Sequence, residues 1–481
     1  MRTWKRLPLS LALLAGCGPM STELEMPPGD GTAGTVSEQR ESPLRPCGAR
    51  SYLLRDIWRG PTGSDPMELT RGDRLLFFTA DDGIRGRELW ASTGTGGEGT
   101  YRVRDIFPGA ASSAPSDLTR LHDEVFFAAD DGRFGRELWK SDGTRDGTRR
   151  VKDIRPGAEG SGPRALLAFD GRLYFAANDG VHGDELWRSD GTTGGTRLLV
   201  DLTPGTHSSG EPIDTNPRNL TALSDDLFFF TADEDEDDFI ALWRSDGTPG
   251  GTFSLDSGPD NIRELTPVGD DVLFYIGSDE GEDSLRRTDG TREGTVTLTE
   301  ESTRDLAELT AVGRGIFFRY RSGTELLKSD GTVAGTVLVK DLGSQPLELT
   351  AFKGRLFFTA EDATHGRELW VSDGTDAGTV LFKDLAPGVL SSAPEALTVV
   401  DGYLFFSAET RGRGREPWVS DGTPEGTVPL REIAPGTLSS SPRGFIQSGW
   451  DVFFTADDGS RGRELYALPF RPSDECDEDL H

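Results

Sequence analysis

Residues 137–144 read Glu137-Leu138-Trp139-Lys140-Ser141-Asp142-Gly143-Thr144, and the rest of the chain is variations on this phrase. The tryptophan position recurs as Trp90, Trp139, Trp187, Trp243, Arg286, Leu327, Trp370, Trp418 and Tyr466, with a period of about 47 residues. After eight of these nine marks a second Gly-Thr follows, ending at Thr100, Thr148, Thr196, Thr252, Thr295, Thr336, Thr379 and Thr427. A repeat of this kind overrides the two to four domains that 481 residues would otherwise suggest.

Working outward from Trp139, each unit parses into four strands. Ser116 to Leu121 is the first. Glu124 to Ala129 is the second, and its Val-Phe-Phe run predicts burial on both faces. Arg136 to Lys140 is the third and carries the tryptophan, and Arg149 to Ile154 is the fourth. Asp130-Asp131-Gly132 and Asp142-Gly143 supply the turns, and Pro108-Gly109 to Pro115 is the crossover from the preceding unit. A four-stranded sheet of this size cannot bury both faces alone, so neighbours must stack. The reading is an all-β, propeller-like ring of about nine blades, with eight blades or an open arc as alternatives. Trp90, Trp139, Trp187, Trp243, Trp370 and Trp418 would fill the space between blades. Ser51 to Ile57 matches a fourth strand with no unit before it, and the last unit lacks one. The N-terminal strand is therefore expected to close the final blade.

The first residues carry a targeting signal. Arg2, Lys5 and Arg6 precede a short apolar run from Leu7 to Ala15, too short to span a bilayer. The run ends in Leu14-Ala15-Gly16-Cys17, which resembles a bacterial lipobox. The resemblance implies cleavage before Cys17, lipidation of Cys17 and, with Gly18 and not Asp next, an outer-membrane or cell-surface location. The expected divisions are a signal peptide (1–16), a lipid-anchored tether rich in Pro, Gly, Ser and Thr (17–48), the propeller (49–470) and a C-terminal tail (471–481). The two remaining cysteines, Cys47 and Cys476, flank the proposed closure, where a disulfide would replace the missing Asp-Gly-Thr turn; two free thiols are the alternative.

The copies at Glu137–Thr144, Glu185–Thr192 and Glu368–Thr375 resemble the ELWxxDGT repeat proteins, a family of bacterial secreted and surface proteins. Membership implies repeats and surface exposure and brings no activity with it. The copies at Arg286, Leu327, Pro417 and Tyr466 depart from the pattern.

The net charge of −31 repels phosphates and anionic lipid heads, which excludes nucleic acid as a partner and leaves the lipid anchor as the route to a membrane. No phosphate loop or Gly-x-Ser-x-Gly elbow is present, and none of the five histidines stands at metal-ligand spacing with another. The expected role is a monomeric binding or scaffold module for a protein or glycan, with no catalysis and no cofactor. An extracytoplasmic hydrolase of glycans and a calcium-binding surface protein are the alternatives. Calcium would come from the run Asp233, Glu234, Asp235, Glu236, Asp237 and Asp238, which breaks the symmetry of the repeat together with an insertion over Thr206 to Arg218. The Ser-Asp-Gly-Thr turns read as structural. The glutamates beside the tryptophans, several preceded by Arg, read as members of structural ion pairs. The Asp-Asp-Gly turns and the crossovers should share one acidic, hydroxyl-rich face suited to sugars or cations.

Overall fold

The computed structural model describes residues 44–46, 51–234, 240–256, 259–299, 305–320 and 322–472. They form nine antiparallel sheets in sequence order, eight of four strands and one of five. Blade 1 comprises Met67–Arg71, Leu76–Asp81, Arg87–Ser92 and Thr100–Arg102. Blade 2 comprises Ser116–Leu121, Glu124–Asp130, Arg136–Ser141 and Arg149–Arg150. Blades 3 to 8 begin at Arg164, Arg218, Asn261, Leu306, Leu347 and Glu395. Blade 9 has Arg443–Ser448, Asp451–Asp457 and Arg463–Pro472 from the end of the chain. Its outer strand is Tyr52–Leu53, which pairs with Ala467 and Tyr466.

The pairing of the two ends follows that of an ordinary blade. Leu54 N donates to Leu465 O at 3.1 Å, as Val151 N donates to Leu138 O within blade 2. Leu54 and Ile57 are buried against Phe78, Trp90, Phe453 and Leu465. The expected zipper is therefore present, and the blade number is nine. Leu44–Pro46, inside the stretch read as a tether, also pairs with this last strand, opposite Phe470 to Pro472. The blade 9 sheet thus begins before residue 49 and ends at Pro472, a little beyond the expected limits on both sides. Cys17, Cys47 and Cys476 lie outside the described residues.

The first strands of successive blades pack on one another all the way round, blade 9 against blade 1 included, so they line the axis. One apolar cluster sits at each of the nine interfaces. Between blades 1 and 2 it joins Phe77, Leu89 and Ala91 to Val125, Phe127 and Trp139. A blade's tryptophan thus packs toward the blade before it. Trp90, Trp139, Trp187, Trp243 and Trp418 are buried, while Trp370 is half-buried. The second strands carry the burial because they are covered on both faces, and Val125 to Ala129 are all at most 1% exposed. Where blade 5 lacks the tryptophan, Arg286 reaches Asp256 at 2.9 Å and Asp256 also accepts from the Tyr275 hydroxyl at 2.6 Å. A half-buried ion pair replaces an indole there.

Every first strand contains a bulge, with a register shift such as that between Met67↔Thr79 and Thr70↔Phe77. The bulged residue has positive φ even where it is not glycine: Glu68 (56°), Asp117 (57°), Glu264 (55°), Glu308 (57°) and Glu348 (61°). A left-handed residue with a Cβ is unfavourable by about 1–2 kcal/mol. A contact across the blade interface offsets it. Glu348 Oε2 accepts from Leu397 N of the next blade at 3.2 Å, Glu308 Oε2 from Leu349 N at 3.1 Å, and Asp117 Oδ1 from Ala165 N at 2.8 Å.

Candidate functional site

The Ser-Asp-Gly-Thr turn closes on itself. Asp190 Oδ1 accepts from Thr192 N at 2.9 Å and from the Thr192 hydroxyl at 2.7 Å, and Ser189 meets Thr196 at 2.7 Å. The same bonds recur at Asp142, Asp246, Asp289, Asp330, Asp373 and Asp421. The threonine hydroxyl, then the backbone N–H, hold the Asp190, Asp246, Asp289, Asp330 and Asp373 carboxyls below the usual range. Gly143 needs its φ of +88°, and a side chain on Gly147 would collide with the Asp142 carboxylate. One carboxylate oxygen of each aspartate is thereby committed to the turn, which supports the structural reading.

The Asp-Asp-Gly turns and the crossovers share one face, as expected. A side chain on Gly135 would meet the backbone of Ala158 to Gly160, and one on Gly132 the ring of Phe107. These aspartates also hold their own turns: Asp131 Oδ1 accepts from Arg133 N and Phe134 N, both at 2.9 Å.

The glutamates beside the tryptophans are not members of ion pairs. Strand alternation sends Glu137 to one face and Arg136 to the other. Glu137 is fully buried and accepts from Ile154 N, Arg155 N and Ser161 N at 3.1 Å each and from the Ser161 hydroxyl at 2.6 Å. It thus ties the third strand to the crossover serine, as Glu88, Glu368 and Glu416 do in their blades. Glu464 does the same across the closure, binding Trp58 N at 3.2 Å and Ser64 through N (3.0 Å) and the hydroxyl (2.6 Å). In blade 3 the insertion puts Thr215 in the serine's place, and its hydroxyl turns to Asp184 O at 2.9 Å. Glu185 keeps Leu202 N at 2.9 Å, and its Oε1 is buried without a partner.

Burial raises all six carboxyls, Glu464 to about 7 and Glu185 to about 8. Between pH 4.5 and these values the folded ring binds more protons than the unfolded chain, so stability falls as pH rises through that window and levels off above it. The lowered aspartates act oppositely, below pH 3.8. Thermal melting at constant ionic strength is expected to give a higher Tm at pH 5 than at pH 8.5, with a smaller difference in Glu185→Gln. A Tm that climbs over that interval would contradict the burial argument.

At the crossover end of the inner strands each blade holds at least one arginine, a ring the sequence reading missed. Arg87, Arg136, Arg367, Arg415 and Arg463 come from third strands. They donate to crossover carbonyls or to second-strand groups, as Arg87 does to Asp65 O at 2.9 Å and Thr79 O at 3.2 Å. In blades 3 and 5 the third-strand position is an acid, and the arginine enters from the first strand: Arg164 meets Asp184 at 2.7 Å and Arg263 meets Asp283. Blade 4 pairs Arg218 with Asp233 at 2.9 Å, and blade 6 pairs Arg319 of the second strand with Glu308 at 2.7 Å. Charge swapping thus accounts for much of the irregularity of blades 3 to 6.

The same pairing engages Asp233, the first residue of the acidic run. Its two oxygens accept from Arg218 and Asn216, each at 2.9 Å, and it is 6% exposed. Glu234 accepts at its backbone carbonyl from Thr203 at 3.4 Å. Asp235, Glu236, Asp237 and Asp238 lie outside the described residues, among which no cluster of three or more potential metal ligands occurs. No helix among the described residues is long and apolar enough to cross a membrane.

No family model matches the sequence, and no curated protein matches it. Among solved structures the chain is similar to a computationally designed protein, at 14% identity and a TM-score of 0.42, over 84% of this chain and 96% of that one. It is also similar to a puromycin hydrolase (14%, TM-score 0.39, 71% of this chain and 58% of that one). The β-propeller domain of the Trilobed protease from Pyrococcus furiosus gives 13% and a TM-score of 0.37, over 64% and 95%. The chain spans 58% of the puromycin hydrolase and 50% of a prolyl endopeptidase that it also matches.

Proposed function

We propose that the protein is a non-catalytic binding module of the bacterial cell surface. In this reading it is an ELWxxDGT repeat protein, held at the outer membrane by lipid on Cys17 and presenting its ring to a protein or glycan partner. One observation carries the absence of catalysis. The glutamates with raised pKa, the natural candidates for acid–base chemistry, recur at the same position in six of the nine blades and are sealed under crossover backbone. A glycosidase would need a pair of carboxylates facing a substrate. The repeated acids face the backbone that holds the ring together. The rigid nine-bladed body, with its axis lined by nine inner strands, suits presentation of a wide face to a partner.

The test is binding against turnover. The purified protein is screened on glycan panels and on extracellular proteins of the producing cell, with product analysis on every binder. Saturable binding with unchanged ligand is expected, and the cell-derived protein should carry acyl chains at Cys17 by intact mass. Release of product that one carboxylate substitution abolishes would replace this reading with that of a hydrolase.

A further inference from the structure

The ring of arginines is neutralised unevenly, and the exception lies where the last two blades meet the first. In blades 3 to 6 a carboxylate faces the arginine directly. In blades 1, 2 and 7 the bulge position of the same blade is an acid, Glu68, Asp117 or Glu348, and Arg87 also lies 3.8 Å from Asp65. Blades 8 and 9 have Ala396 (φ 58°) and Gly444 (φ 70°) at that position. Arg463 therefore sits where the inner acids of its own blade and of the blade before it are both missing. Its Nη1 donates to Thr455 O at 3.1 Å and to the Thr455 hydroxyl at 3.2 Å, and its remaining N–H groups have no partner among the described residues. Arg443 adds a second guanidinium, with Asp65 at 3.6 Å as its ion-pair partner. Burial and then the Arg443 charge lower the Arg463 pKa, against the opposing pull of the Asp65 and Asp457 carboxylates.

These groups open into two cavities that share Arg443 as a wall. One, of about 300 Å³, holds Arg415, Arg443 and Arg463 together with Ser407 and Ser441; Glu348 and Glu395 are its acids. Both acids are engaged: Glu348 with Leu397 N at 3.2 Å and Glu395 with Arg415 at 3.3 Å. The other, of about 400 Å³, lies between blades 9 and 1 and is walled by Pro66, Met67, Leu69, Phe445 and Ile446, with Glu68, which accepts from Leu118 N at 3.3 Å, as its one acid. Met67 is 44% exposed there. A cationic cavity beside an apolar one is the shape of a site for an anionic head on an apolar body. Guanidinium suits carboxylate and phosphate because its parallel N–H groups match two oxygens at once. In a chain with 82 acidic against 51 basic residues, a pocket lined by three arginines against two carboxylates, both already engaged, runs against the overall composition.

The geometry points to a binding site for an organic anion, a carboxylate or phosphate on an apolar body, at the channel mouth between blades 8, 9 and 1. This rests on the binding-module reading and specifies a ligand class for it.

The test uses anilinonaphthalene sulfonate, an anionic apolar dye, with the native full-length protein at low salt. One saturable site is expected, weakened by added salt and displaced by octanoate or octyl phosphate but not by neutral octyl glucoside. The relative potency of the two anions distinguishes a carboxylate from a phosphate ligand. Arg463→Gln and Arg443→Gln should each weaken dye binding at least tenfold, and Arg74→Gln, on the exposed surface, should not. Gly444→Glu restores the acid of other blades at a position where an added Cβ meets nothing within 4 Å. It should abolish dye binding while the Tm stays within a few degrees of the parent. Binding unchanged in Gly444→Glu and Arg463→Gln, or absent from the native protein, would overturn the inference. Neither result touches the binding-module reading, which fails on turnover instead.

Discussion

Deleting residues 42–57 is expected to cost the ring at least about 5 kcal/mol, a large part of the 5–15 kcal/mol that stabilises a typical domain. The deletion uncovers Phe453, Leu465 and Trp90 by removing Leu54 and Ile57, each worth about 1.5–3 kcal/mol of burial. It also removes the outer edge of blade 9, where Tyr52 and Leu53 pair with Ala467 and Tyr466. Blade 9 then presents an unpaired edge, an invitation to aggregation. Thermal and urea unfolding would show a Tm lower by more than ten degrees, partly restored by a peptide of residues 51–57 added in trans. An unchanged Tm would mean that the ring does not depend on its closure. Cys47 and Cys476 stand near the two partners of this zipper in sequence, and a disulfide between them is proposed as its covalent counterpart. Non-reducing peptide mapping that finds both thiols free would remove that proposal.

The second large effect is expected at Glu137. Glu137→Ala leaves Ile154 N, Arg155 N, Ser161 N and the Ser161 hydroxyl without their acceptor in a fully buried site. An orphaned buried polar group costs about 1–3 kcal/mol, so even with partial hydration a loss of about 3–5 kcal/mol follows. Glu185→Gln provides the contrast. Glu185 has one good donor and holds its proton up to about pH 8, so a neutral amide of the same shape should change stability by less than about 1 kcal/mol at pH 7. Urea midpoints of the two variants, read with their slopes, decide the matter. Equal losses would show that these glutamates act as buried charges, not as hydrogen-bond hubs.

The arithmetic of one repeated phrase reached a long way. The recurrence of Glu137 to Thr144, the Val125-Phe126-Phe127 run and the orphan strand at Ser51 to Ile57 give strand order, a blade number of about nine and the zipper. All three are local or periodic signals, and a repeat forces each unit to bury itself on the next. The roles of the charged residues were less legible. Glu137 follows Arg136 in sequence, which reads as an ion pair, yet consecutive strand residues face opposite ways. Glu137 therefore meets a crossover serine 24 residues on, and Arg136 meets Ala114 O. The inner clasp had a signal that went unread, the recurring Glu-Leu-Thr or Asp-Leu-Thr at Glu68, Asp117, Glu264, Glu308 and Glu348. Its meaning needs the bulge, because only there does the acid turn toward the neighbouring blade.

The sequence by itself determined the repeated four-stranded unit and its count of about nine, since periodicity and turn chemistry are properties of the chain alone, and the structure decided that all nine close into one ring. The tertiary structure decided which charges remain unanswered. Asp233 became the partner of Arg218, while Arg463 came to stand beside Arg443, where the bulge positions of blades 8 and 9 carry no acid. Charge balance is settled by distances across blade interfaces, between residues dozens to hundreds of positions apart, and only closure of the ring sets those distances.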